Sequence, residues 1–454
     1  MNRIKKIPLI IILSLFISTY TFAAGFHVNV EQGMKALGTG GAFVGLANDA
    51  TALYYNPAGI TQLDGKFNVA ATYTFGVFHP KLHNPEIVDI YGVTRAQSGT
   101  KEQDWRWAQI PSTYITYKIN DKFTAGLAFF APFGTATDWT HTWVGRYFAD
   151  KTDLRTYDLN PTLAYKVSDK LSVAFGINYV YSTVEIKKSI SFPMIAAQQP
   201  GLSQAQQLSL YNLFYNRAYD VDVKLKGDTD SSGKGWGFNL GLMFKPSDAW
   251  QIGIIYRSEV DLDFKGHAYY EYMPGAVALG APAVFKKTKI SSSITLPDYL
   301  AVGIVNKSFK NWKLLLDVYW TGWSDYKSLD VKFANFAGIP NYVSKNRKDW
   351  EDVIAIRLGA EYTYNNWAFR AGYMHDESPT KDATRGPELA CSDRNDLTLG
   401  VGYKYKNFSI DAAYLIAFFK EHNSHLIDET TKTQLKGRWS TIAHVIGFTV
   451  GYKF

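Results

Sequence analysis

The sequence predicts an all-β membrane protein: a 14-stranded antiparallel transmembrane β-barrel with a small helical N-terminal plug, or hatch. Three observations carry this expectation. Beyond the extreme N-terminus no apolar run reaches the roughly 20 residues of a spanning helix. Mean hydropathy is −0.17, yet 15% of the chain is aromatic, as happens where lipid-facing and lumen-facing residues alternate. Segments of period two recur through the chain, and the connections between them alternate between short and long, the pattern of a barrel with tight turns at one rim and loops at the other.

The chain opens with Arg3, Lys5 and Lys6, then the apolar run 7–17 and the small-x-small site Thr21-Phe22-Ala23. This is a secretory signal peptide over 1–23. The mature chain then begins Ala24-Gly25-Phe26. Residues 24–65 do not alternate. Glu31 to Leu37 and Ala47 to Tyr54 read as short helical pieces, broken by Gly38, Gly40, Gly41 and the pair Asn56-Pro57. Phe26, Val28, Leu37, Phe43, Leu46, Leu53, Tyr54, Tyr55 and Ile60 are too apolar for a disordered tail. A barrel of this size leaves a hole unless something fills it, so 24–65 is expected to plug the barrel formed by 66–454.

Six turns, NDKF (120–123), SDKL (168–171), SDAW (247–250), FKNW (309–312), YNNW (364–367) and YKNF (405–408), each set turn residues before an apolar, usually aromatic, residue. That repetition suits an interfacial aromatic girdle. Strands are expected near 66–79, 109–119, 122–132, 156–167, 170–188, 235–246, 249–266, 290–307, 311–331, 350–364, 366–376, 394–405, 407–421 and 438–454. The last of these puts Ile446, Phe448, Val450, Tyr452 and Phe454 on one face. Both termini then fall on the periplasmic side of an outer membrane, among its lipid and lipopolysaccharide. Within the strands, Arg357, Glu361, Arg370, Arg257, Glu259 and Asp261 are expected to face the lumen, where charges in a membrane barrel belong.

Composition and motifs exclude other classes. The net charge of +7 includes signal-peptide cations, and no basic cluster suggests nucleic acid. Cys391 is alone, so no internal disulfide is possible. Gly38-Thr39-Gly40-Gly41 follows no strand and is not a phosphate loop. His27, His79, His83, His141 and His267 lie mostly outside strands and form no Ser/His pairing. No enzyme, cofactor or metal site is expected.

The start Ala24-Gly25-Phe26, the plug motif Asn56-Pro57-Ala58, and the runs LKG (225–227), GWGFNLG (235–241), YRSEV (256–260), FKG (264–266), WS (323–324), DESP (376–379) and SDR (392–394) together resemble the FadL family of outer-membrane long-chain fatty acid transporters. The run ACSDR (390–394) departs from the family's PDxDR-like pattern. The resemblance spans the mature chain. It implies a monomeric barrel closed by a hatch, an inward kink in the strand near 122–132, next to Pro132-Phe133-Gly134, and passive transport with lateral exit there. The loops 189–234 and 267–289 are unusually apolar, and the first reads as an amphipathic helix from about Ser203 to Asn216; the resemblance implies an external apolar groove between them, with Met194, Leu208, Phe214, Met273 and Phe285 as candidate lining. Phe26 would line a luminal pocket. Lys188, and then one of Lys345, Arg347 and Lys348, are the candidates to hold a carboxylate. Relatives of this architecture also import aromatic hydrocarbons, so an uncharged cargo is the alternative.

Overall fold

The computed structural model describes residues 25–89, 92–104, 107–229, 233–429 and 431–454. The expected signal peptide lies outside the described residues. No helix among them is long and apolar enough to cross a membrane. The wall is one antiparallel sheet closed on itself. Its first half is β1 (Phe67–Val88), β2 (Trp107–Lys118), β3 (Phe123–Phe130), β4 (Lys151–Lys166), β5 (Leu171–Ser191), β6 (Lys234–Phe244), β7 (Trp250–Arg257) and β8 (Val260–Tyr272). Its second half is β9 (Thr288–Leu296), β10 (Tyr299–Asn306), β11 (Trp312–Thr321), β12 (Val353–Tyr364), β13 (Trp367–Asp376), β14 (Arg394–Tyr405), β15 (Phe408–Phe419) and β16 (Gln434–Lys453). β1 pairs with β16 from Asn68↔Lys453 to Val88↔Gln434, which removes both edges.

Sixteen strands close the barrel, not the fourteen expected. The difference has a local cause. The spans 249–266 and 290–307 are each broken in two, at Ser258-Glu259 between β7 and β8 and at Pro297-Asp298 between β9 and β10. Each of these crossings is therefore two strands in series. The breaks also reverse the faces. Gln251, Gly253, Ile255 and Arg257 point inward below the first break, whereas Val260, Leu262 and Phe264 do so above it. Across the hairpin, Ile294 and Leu296 point inward above the second break, and Tyr299 and Ala301 below it. Glu259 and Asp261 are consequently exposed, correcting the expectation that they face the lumen. Arg257, Arg357, Glu361 and Arg370 are buried inside, as their parity predicts.

The outward faces are apolar, with Ile354, Ile356 and Leu358 on β12 and Leu397, Leu399 and Val401 on β14 exposed. At the tight-turn rim, Phe123, Trp250, Trp312, Trp367 and Phe408 form an exposed aromatic row. The turns follow their residue chemistry. The Asn120 side chain accepts from the Lys122 and Phe123 backbone N–H groups at 2.9 Å each, and Asn365 and Lys406 take positive φ, 51° and 53°, at the two tightest hairpins.

At the opposite rim the long connections are structured. The loop after β5 holds a helix over Gln204–Tyr211, shorter than the expected Ser203–Asn216, with Ser203 and Gln206 forming a capping box. It then gives a strand over Asp220–Gly227 that pairs with both β5 and β8. Residues 26–60 are buried nearly throughout, as a turn over Val30–Gln32, helices over Met34–Gly38 and Ala52–Tyr55, and a turn over Pro57–Gln62. They touch inward-facing residues around the wall, among them Ser112, Gln251, Asp317, Arg357, Thr398 and Thr449, and the backbone carbonyl of Leu242.

Candidate functional site

The site begins where the third wall strand breaks. Regular β3 pairing ends at Phe130↔Asp158, and pairing with β4 resumes at Gly134↔Arg155. Three residues, 131–133, thus face two on β4, which is a bulge. Pro132 has no N–H to give to a ladder. The strand therefore does not end at Pro132-Phe133-Gly134, since it continues over Gly134–Asp138. The bulge carries it away from its other neighbour. Pairing of β2 with β3 runs only from Lys118↔Thr124 to Thr113↔Phe129.

The N-terminal segment binds the bulge from inside. The Val28 N–H donates to the Pro132 carbonyl at 2.7 Å, and the Gly134 N–H donates to the Phe26 carbonyl at 2.9 Å. His27 lies opposite Phe133 between these bonds. Gln32 spans the interval between β2 and the bulge, donating to the Ala131 carbonyl at 2.8 Å and accepting from Ser112 Oγ at 2.7 Å. These contacts satisfy carbonyls that a regular ladder would have paired.

Phe26 sits in an aromatic cage. Its ring centroid is 4.7 Å from Trp323, 5.5 Å from Trp350, 5.9 Å from Tyr326 and 6.1 Å from Phe133. The cage adjoins an open-mouthed cavity of about 100 Å³ on the long-loop side of the breaks. The cavity wall is apolar, with Leu154, Val184, Ile186, Leu225, Phe264 and Ile294, and the reversed faces beyond the breaks contribute Phe264 and Ile294. One buried cation enters it. Lys348 is ion-paired with Glu388 and its side chain is only 4% exposed. The buried Nε1 of Trp350, also in the lining, has no hydrogen-bond partner.

Below the cavity, luminal charges hold the N-terminal segment. Asp317 Oδ2 accepts from the Phe43 and Val44 N–H groups at 2.7 Å each. Arg357 donates to Asn29 Oδ1 at 3.3 Å and to the Gly41 carbonyl at 3.4 Å. Arg370 pairs with Glu361 and Asp411, both at 2.7 Å. Asn56 Nδ2 donates to the carbonyls of Val44 and of Leu242 on β6, at 3.0 Å each, while its Oδ1 accepts from the Ala58 N–H at 3.2 Å. Gly241 and Gly253 make room for it. A Cβ at Gly253 would lie 2.1 Å from the Val44 carbonyl oxygen, and one at Gly241 2.8 Å from Asn56 Oδ1.

The structure separates the candidate ligand residues. Phe26 and Lys348 meet at the cavity. Lys188 does not line it, but lies on the same face of β5 as Val184 and Ile186, one step further out and half-buried. Arg347 points away, 62% exposed and paired with Asp349. One residue of chain therefore decides between Arg347 and Lys348. The loop residues are apart from the cavity too. Phe285 is fully buried against Phe192, Tyr270 and Phe336. Phe214 and Met194 pack into a cluster with Trp139, Trp143 and Trp439. Met273 directly precedes the helix over Pro274–Ala278, and Leu208 is 60% exposed. The two loops thus largely pack into a cap at this rim. Trp350, Tyr326 and Glu388 were not foreseen. The aromatics carry a signal, a Trp-rich pair of segments flanking the loop 332–349, whereas Glu388 sits in a run without periodicity.

Residues 14–454 match the family described as outer membrane protein transport protein (OMPP1/FadL/TodX). The chain is 28% identical over 415 residues to a long-chain fatty acid transport protein of Escherichia coli O6:H1, covering 88% of each. It is 25% identical over 446 residues to outer membrane protein P1 of Haemophilus influenzae, covering 92% of this chain and 93% of that one. Among solved structures, a Pseudomonas aeruginosa FadL homologue superposes with a TM-score of 0.82 at 23% identity, over 95% of this chain and 100% of that one. The Pseudomonas putida toluene transporter TodX gives 0.64 at 17% identity, over 95% and 99%.

Proposed function

Because this chain belongs to the OMPP1/FadL/TodX family of outer-membrane transport proteins, we propose that it carries long-chain fatty acids passively across the outer membrane. The observation that carries this reading is the apolar cavity with a single buried cation, Lys348, beside the N-terminal segment and the wall bulge. The apolar wall suits an alkyl tail. Burying a methylene gains about 0.8 kcal/mol, so a sixteen-carbon tail gains on the order of 10 kcal/mol and capture needs no energy source. A carboxylate buried without a partner is costly, and Lys348 supplies one. The curated relative from Escherichia coli is a long-chain fatty acid transport protein, which supports the same cargo.

In this reading the residues 24–65 act as the plug and the tight-turn rim faces the periplasm. The ligand lands on exposed apolar loop residues such as Leu208, Val277 and Leu279, with Lys188 half-way down. It settles against Phe26 and leaves sideways through the interval between β2 and the bulge once the N-terminal segment shifts. The short pairing of β2 with β3, and the bridging of the bulge there by Gln32 and by the 26–28 backbone of the N-terminal segment, favour that route. An uncharged hydrophobic cargo is the second reading, favoured by the neutrality of the Lys348–Glu388 pair.

The test is uptake of a radiolabelled long-chain fatty acid against an uncharged hydrocarbon of similar length, in cells lacking other uptake barrels. Lys348→Ala is expected to lower fatty acid uptake about tenfold or more and to leave the hydrocarbon unchanged. Equal uptake of both cargoes, indifferent to Lys348, would favour the second reading. Arg347→Ala should have no effect on either.

A further inference from the structure

We propose that Glu388 is a built-in competitor for the ligand's anionic head group: it occupies Lys348 in the empty cavity and must be displaced before a carboxylate can bind. The inference rests on the transport reading above and deepens it by naming the residue that sets selectivity between charged and uncharged cargo.

The cavity holds its charge in balance. Lys348 is buried, and its Nζ is paired with Glu388 Oε1. Lys226 and Lys265 also border the cavity, but their side chains are exposed. An uncharged ligand can enter without disturbing the pair. A carboxylate cannot, because it would lie beside Glu388 and repel it. Binding an anion is therefore an exchange of one carboxylate for another on the same ammonium.

Glu388 can make that exchange. Its side chain is 23% exposed, so its carboxylate has water to move into, whereas that of Lys348 is 4% exposed and has none. The displaced group also sits on a short segment that links two parts of the site. The Thr135 hydroxyl donates to the Glu388 carbonyl at 3.4 Å, and Trp139 Nε1 donates to the Pro387 carbonyl at 3.1 Å. Thr135 lies in Gly134–Asp138, the continuation of the third strand beyond the bulge, and Trp139 directly follows it. On the other side, the Thr384 hydroxyl donates to the Lys348 carbonyl at 2.6 Å. Head-group exchange at Lys348 thus acts on the segment that grips the broken strand.

Gly386 offers a way to move the carboxylate without changing any charge. Its φ is −111°, which alanine adopts without strain. An added Cβ there would lie 2.0 Å from Glu388 Oε2, so the Glu388 side chain must shift.

The experiment measures binding of palmitate and of its methyl ester to the purified full-length protein in nanodiscs. Folding of each variant is checked by heat-modifiable gel mobility. Glu388→Gln is expected to tighten palmitate binding roughly five- to a hundred-fold, the usual range for coupled binding events, and to leave the ester unchanged. Gly386→Ala should shift palmitate in the same direction. Lys348→Met leaves Glu388 without its cation, so it should weaken palmitate binding relative to the ester. Palmitate affinity that ignores Glu388→Gln and Gly386→Ala, or that shifts together with the ester, would overturn the exchange while leaving transport standing. Failure of both ligands to bind the unmodified protein would overturn the transport reading and the exchange with it.

Discussion

Asn56 joins three parts of the molecule through one side chain: the Val44 carbonyl, the Leu242 carbonyl on β6 and the Ala58 N–H. All three bonds are lost in Asn56→Ala, and two of the freed groups stay buried. A cost of about 1–3 kcal/mol is expected, read as a lower urea midpoint in detergent. Gly253→Val would act on the same joint by steric means. It is expected to loosen the N-terminal segment and raise ion conductance in planar bilayers, where the unmodified protein stays closed. Asn56 was legible in the sequence through Asn56-Pro57-Ala58, and Gly241 through the run 235–241, whereas nothing singled out Gly253. The neighbouring pair Arg347 and Lys348 was legible only as a pair. Chemistry alone cannot separate Lys345, Arg347 and Lys348 in one loop, and their fate is decided by which of them turns under the loop over 377–393. Glu388 carried no signal at all, since a glutamate in an irregular run reads as solvated.

At the scale of elements, the bulge at 131–133 and its N-terminal partner form the movable joint of the proposed route. His27 and Phe133 are a non-hydrogen-bonded antiparallel pair, flanked by the bonds of Val28 and Gly134. Such pairs have Cα atoms about 4.5 Å apart, within disulfide range. The variant His27→Cys/Phe133→Cys, made with Cys391→Ser, is expected to lose uptake when oxidised and to regain it with dithiothreitol. Uptake unaffected by oxidation, with the cross-link proven by mass spectrometry, would remove the N-terminal segment from the transport path. Period-two alternation revealed most wall strands to within a few residues. It could not reveal the breaks at Ser258-Glu259 and Pro297-Asp298. Across each, the alternation restarts on the opposite face, and a one-residue shift of phase in a mixed polar and apolar stretch looks like noise. That missed phase shift is what put Glu259 and Asp261 on the wrong side, and it is also what turns Phe264 and Ile294 toward the cavity.

For the whole molecule, the proposed cycle uses only ligand partitioning and shape change. Purified protein in liposomes is therefore expected to equilibrate a fluorescent fatty acid between an external donor and the bilayer with no ion gradient and no nucleotide. A rate that rises with an imposed proton gradient would contradict a passive carrier. The seam between β1 and β16 bears on a different matter, the order of assembly. Its two strands are the first and the last in the wall, so no enclosed lumen exists before β16 is in place. Until then residues 26–60 have no walls around them, and Lys35, Asp49 and the carbonyls of Phe26 and Val44 can face water. Pairing so distant in sequence is slow to nucleate, because chain entropy is lost before contacts compensate for it. Two strand edges stay open to aggregation meanwhile. Enclosure of the N-terminal segment and zipping of the seam are therefore one kinetic event. A periplasmic holding factor that keeps the chain unzipped would at the same time keep its interior unfilled.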